Sequence, residues 1–271
     1  MVKPLLLALL LLLPLSAQAR DIGEAELQQI AGLVFQNECA AKDSCLTSWN
    51  EGEAFASLGI GHFIWYPAGS EKPFSESFPA LLAFMAQRGV QLPGWLEADP
   101  TRPNPWSDRQ HFIAASHSAS LSQLRQLLIE TKPLQTQFML QRFEQALPTL
   151  LAGLNSAQQK QIRQQFERVA KSPMGMYALI DYVNFKGEGS NPKERYQNKG
   201  WGLLQVLENM QGNDVGVSAV KSFSESADQM LTRRVEFSPP ERNELRWLPG
   251  WRKRLATYVR ESQKLLKQTG M

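Results

Sequence analysis

Apolar residues recur at helical spacing over most of the chain. Leu27, Ile30 and Val34 stand at i, i+3 and i+7, and Glu38 continues that stripe at i+11. A first helix is therefore predicted over Asp21–Asn37, with Glu38 at its end. A short loop bounded by Cys39 and Cys45 follows. Ala54–Tyr66, rich in Gly, Phe, Ile and Trp, reads as short strands. Pro79–Gln87 returns to helix, with its proline suited to a first turn. Leu92–Trp106 holds four prolines and reads as an irregular surface crossing.

From Ser120 onward helix dominates. Leu121–Lys132 and Pro133–Leu151 are predicted as two segments, with Pro148 expected to end the second early. Asn155 and Gln158 make a capping-box start for a third, which runs to about Lys171. Met176–Phe185 is an apolar helix that ends at Lys186-Gly187-Glu188-Gly189, and Leu203–Met210, Val215–Arg234 and Trp251–Leu266 follow. The expected class is α+β, predominantly α, with one small sheet near the start. No internal repeat, glycine-rich phosphate loop or low-complexity tract interrupts the pattern.

Composition agrees with a folded core: 43% of the 271 residues are hydrophobic and 20% charged. Positions 1–19 stand apart. Lys3 precedes an apolar run, Leu5–Leu15, and Ala17-Gln18-Ala19 offers a peptidase site after Ala19. That is the pattern of a secretory signal peptide, and the run is shorter than the roughly 20 residues of a bilayer span. A retained N-terminal anchor is the alternative. Residues 20–271 are expected to form a single domain, periplasmic or secreted, with no transmembrane segment.

Cys39 and Cys45 are the only cysteines, and in an oxidising compartment they predict one local disulfide; two free buried thiols are the alternative. His62, His111 and His117 show no metal-ligand spacing, so neither a metal nor a cofactor is expected. Charge is uneven. Residues 231–271 hold ten Lys/Arg against four acids, which suits contact with an anionic surface or, more blandly, a solvated helix face. Nucleic acid is a poor partner for a chain so near neutrality.

Glu38 is the candidate general acid. Its stripe turns it toward the core, where burial and the negative end of the helix dipole both disfavour an ionised carboxylate. An acid that keeps its proton near neutrality is what protonating a glycosidic oxygen requires. The bland alternative is an exposed glutamate at a frayed helix end.

Downstream, Trp49-Asn50-Glu51-Gly52-Glu53 leads to Ser57-Leu58-Gly59-Ile60-Gly61-His62. This order resembles the phage-type lysozymes (endolysins) of the lysozyme-like superfamily. There a helix ends in a catalytic Glu, and an aromatic-x-acid step, a Thr or Ser six residues on, and a G-I-G-H strand follow. The resemblance implies that Glu38 is the general acid, that Glu51 stands in the place of the family's Asp, and that Ser57 stands in the place of its Thr. The loop between Glu38 and Glu51 is longer than usual and holds the cysteines, so Glu53 stays a candidate for the second carboxylate. That group would activate water or support an oxocarbenium-like transition state; a gap of about 6.5–9.5 Å leaves room for water and gives inversion. His62 would brace the site. The implied fold is lysozyme-like, with a small N-terminal hairpin or sheet flanking the cleft beside a helical lobe. The implied substrate is peptidoglycan or a related glycan, with chitosanase-like activity as a variant.

A second block, Ala178–Gly189, is similar to the family's A-L-x-x-F-x-F-N-x-G-x-G, with Asn184-Phe185 in inverted order; Arg233-Arg234-Val235-Glu236 resembles its late R-R-x-E. Residues 67–175 match no part of the family and are expected to be a helical insertion of unknown role. Within the same superfamily, Glu188 followed by Gly202-Leu203-Leu204-Gln205 resembles the lytic transglycosylase pattern, although Gly189 replaces the usual Ser. Trp49, Phe63, Trp65 and Tyr66 cluster beside the site, and Trp65 and Tyr66 are candidates to stack on sugar rings, each with a core role as its alternative. The competing class is a non-catalytic module that binds glycan or a partner through the same cleft.

Overall fold

Helix α1 (Glu24–Cys39) carries the predicted stripe inward, burying Leu27, Ile30, Val34 and Phe35. It ends one residue past Glu38. Ala40 turns into the left-handed region, φ 47°, and caps the helix by donating its N–H to Phe35 O. The structure is a computed structural model that describes residues 22–72, 74–96, 101–192 and 195–269; the predicted leader lies outside the described residues. Cys39 and Cys45 form the expected disulfide, which ties the end of α1 to a 3-10 turn at Asp43–Leu46.

Three short strands follow: β1 (Thr47–Ser48), β2 (Ala56–Leu58) and β3 (Phe63–Trp65), antiparallel in the order β1-β2-β3. Thr47 pairs with Leu58 and Ser57 with Ile64. The β2–β3 connection, Gly59–His62, is held from below. Gln135, wholly buried, accepts the Ile60 N–H at 2.8 Å and donates to Leu128 O at 2.7 Å. Gly59 has φ +68°, and a Cβ there would stand 2.3 Å from Gln135 Oε1, so a side chain is excluded twice over.

The helices then run α2 (Phe78–Gln87), α3 (Arg109–Ala114), α4 (Ala119–Glu130), α5 (Lys132–Leu151) and α6 (Ser156–Ala170). The capping box at Asn155 and Gln158 starts α6 as predicted. Pro148 does not end α5, which continues to Leu151. A proline in a last turn forfeits only one backbone bond, which packing of Leu150 and Leu151 into the core offsets. Residues 67–175 contribute to the core that α1 packs on. Phe78, Leu81, Met85, Leu124, Phe138 and Phe166 belong to the same continuous apolar core as α1.

Helix α7 (Gly175–Lys186) is the axis of that core, buried from Gly175 to Tyr182 and in contact with α1, α5, α6, α8 (Leu203–Asn209) and α10 (Leu248–Thr269). Helix α9 (Val217–Phe237) packs along α10, and a hairpin, β4 (Arg195–Tyr196) and β5 (Lys199–Gly200), packs on α9. The molecule is thus mostly helical with a small antiparallel sheet. Among the described residues no helix is long and apolar enough to cross a membrane.

Candidate active site

Three helices meet at Glu38. From α7, Asn184 Nδ2 donates to Glu38 Oε1 at 2.9 Å; from α10, Arg254 Nη2 donates to the same oxygen. Arg254 is itself anchored, its Nε and Nη2 closing on the two oxygens of Asp181 at 2.8 Å each. Asp181 is wholly buried and also accepts from the Tyr258 hydroxyl at 2.6 Å and the Asn37 amide at 3.2 Å. Asp181 therefore fixes the guanidinium, and the guanidinium fixes Glu38. Burial opposes the charge on Arg254, but the carboxylates of Asp181 and Glu38 outweigh it and raise its pKa. Burial, and then the charge of Asp181, push the Tyr258 hydroxyl well up. The Glu38 side chain is only 12% exposed, yet it meets a cation rather than the uniformly apolar wall that its stripe implies.

His62 sits at the hairpin turn with φ 47°, its Nδ1 3.9 Å from Glu38 Oε2, beyond hydrogen-bond reach. Cys39, Cys45 and His62 bring ligand atoms within 4.8 Å of one another, but sulfurs joined to each other cannot serve as thiolate ligands.

Ser57 is buried on β2, and its Oγ donates to Glu53 Oε2 at 3.5 Å. Asn50 Nδ2 reaches the same oxygen at 3.1 Å, and Trp49 Nε1 donates to Glu53 O at 2.8 Å. Glu51 stands exposed in the preceding turn. Of the two candidates for the second carboxylate, Glu53 is the one the fold joins to Ser57.

Trp65 and Tyr66 present no face to a sugar, and the expectation that they stack on one is overturned. Both are wholly buried: Trp65 lies 4.8 Å from the Phe78 ring and donates to Arg102 O, and Tyr66 lies 5.2 Å from Phe55. Helix α2 and the chain around Asn104 cover β3, which carries Trp65 and leads into Tyr66.

Beside this site is a cavity of about 300 Å3 walled by Gly61, Phe63, Arg142, Asn184 and Glu188. Asn184 belongs to both, holding Glu38 and lining the cavity. Burial lowers the Arg142 pKa, and the charge of Glu188 works against that fall. The Glu188 turn is locked to α8: Leu204 N–H donates to Glu188 O at 2.9 Å and Gln205 Nε2 to Gly189 O at 3.1 Å.

Sequence reasoning missed Asp181, Asn184 and Arg254 as site residues. An acid inside the otherwise apolar run of α7 was a usable signal, since a buried carboxylate needs a partner. Arg254 had no such mark among its basic neighbours. Comparison with protein families, curated proteins and solved structures finds no match to this chain.

Proposed function

We propose that the chain is an exported lysozyme-like glycoside hydrolase acting on a β-1,4-linked amino-sugar polymer, with peptidoglycan the foremost candidate. One observation carries the proposal. Glu38 ends its helix nearly buried, with Oε1 fixed by Asn184 and Arg254 and Oε2 out of hydrogen-bond reach of His62. Oε2 is then the oxygen we assign to proton transfer with the bridging oxygen of the substrate, the Arg254 charge favouring the carboxylate that is left once the proton has gone. Glu53, with Ser57 on the same carboxylate oxygen, supplies the second carboxylate and the hydroxyl that orients water. The leader-like residues 1–19 and the disulfide fit an exported protein.

The test is digestion of purified peptidoglycan with mass analysis of the products. Wild type is expected to generate new reducing ends. Glu38→Gln is expected to lose about 10²–10⁴-fold in rate while still co-sedimenting with the polymer. Glu53→Gln should lose activity where Glu51→Gln retains it. A Glu38→Gln variant as active as wild type rules the proposal out, and a wild type that binds without cleaving indicates a binding module. A second proposal rests on the cavity: Glu188 on its wall fits a lytic transglycosylase, for which anhydro ends, abolished by Glu188→Gln, are the signature.

A further inference from the structure

A second cavity, about 660 Å3, shares no residue with the first and lies between α6 and the start of α9. Its walls carry four cations, Lys160, Arg163, Arg168 and Lys171, against one acid, Glu167, which is spent on Lys171 at 3.0 Å. Arg168 is the built element. It is 7% exposed, and its Nη1 is saturated by Gln165 Oε1 at 2.6 Å, Gln211 O at 3.1 Å and Gly212 O. These bonds pin the 211–212 backbone to α6. The other edge of the guanidinium, Nε and Nη2, is buried and meets no acceptor among the described residues. Those two N–H groups are parallel and form the fork that grips an oxyanion in two places. Arg252 closes that edge on Asp228, and Arg254 closes it on Asp181. Among the described residues Arg168 meets no such carboxylate.

Gly216, also on the cavity wall, is the N-cap of α9, a helix of 21 residues with no side-chain cap on its first N–H groups. A helix start of that kind favours negative charge. Arg168, Lys160, Arg163, Lys171 and an uncapped helix start line one cavity, and together they match a dianion better than a single carboxylate. We infer that this cavity binds a phosphate group, for which the Arg168 Nε/Nη2 edge, closed to solvent in this structure, opens to take two of its oxygens. A soluble phosphate ester and a phospholipid headgroup share that chemistry.

The experiment is amide NMR on the full chain, titrated with inorganic phosphate, with acetate at matched ionic strength, and with phosphatidylcholine vesicles with and without phosphatidic acid. Saturable shifts confined to α6 and the first turn of α9 are expected with phosphate and not with acetate. Arg168→Lys keeps the charge but lacks the fork, and should bind phosphate roughly tenfold or more weakly. If that variant fails to fold, the Lys160→Gln/Lys171→Gln double variant, altered at two exposed positions, should still weaken binding. Retention on phosphatidic acid vesicles that Arg168→Lys abolishes assigns the site to a headgroup; response to inorganic phosphate alone assigns it to a soluble ester. Equal shifts with acetate, no saturable shift with either phosphate source, or affinity unchanged in both variants overturns the inference.

Discussion

Lys186 ends α7 with its Nζ 3.6 Å from the Trp251 ring centre and 4.0 Å from that of Phe185, close to Arg234 and Arg254. Burial, and next the charge of Arg234, lower its pKa to about 6; Glu244 and Glu38 pull it upward without restoring the ordinary 10.5. The folded chain therefore favours the neutral amine. Below about 6 both folded and unfolded chains hold the proton, and the cost of burying the ammonium stands in full. Above it the unfolded chain binds more protons, so stability rises toward 10.5, by at most about 1.4 kcal/mol per pH unit from this group. Lys186→Met is expected to stabilise most at low pH and to lose that advantage as pH rises; urea midpoints of both proteins from pH about 5 to about 9 measure it, and parallel profiles refute it. At this scale the site was half legible. Glu38 could be proposed from its place on the α1 stripe, and Ser57 and His62 from the resemblance carried by the stretch that holds them. Arg254, 216 residues from its partner, could not, because nothing local distinguishes a cation that will be buried from one that stays in water.

Between residue and fold stands the clamp at the end of α1. The disulfide closes a loop with a sequence separation of only 6, and on one side of it is the helix end that carries Glu38. For so short a loop the chain-entropy effect is modest, roughly 2 kcal/mol. The Cys39→Ala/Cys45→Ala variant is expected to lose about that much in urea unfolding and to match reduced wild type, whereas a loss near zero means that packing of α1 alone sets the position of Glu38. Elements of this size divide cleanly into those the sequence announces and those it hides. α1, α6 and α7 have three or more turns of periodic apolar residues, and α6 also has its cap. α3 has 6 residues and the β4–β5 hairpin has strands of 2, too short for either period to register. They exist because Asp108 caps one and the face of α9 supports the other.

Over the whole molecule, the basic C-terminal segment reads in sequence as a patch for an anionic partner, and the fold spends much of that charge internally. Arg234 and Arg242 meet Glu244, Arg252 meets Asp228, Arg254 meets Asp181 and Glu38, and Arg260 and Lys264 meet Glu261. Helix α10 also buries Leu248, Trp251, Leu255 and Tyr258. Its removal would strip Asp181, wholly buried, of both Arg254 and Tyr258. Losing the partner of a buried charge costs roughly 3–5 kcal/mol, a large part of the 5–15 kcal/mol that holds an ordinary domain together. The lost apolar burial adds to it. A chain ended at Trp247 is therefore expected to lose more helix by circular dichroism than the 22 residues of α10 account for, and to show no cooperative thermal transition. Cooperative melting of that shortened chain would make α10 an appendage. The end of α1 would then hold Glu38 with Asn184 alone, and the coupling of the site to the last helix would have to be abandoned.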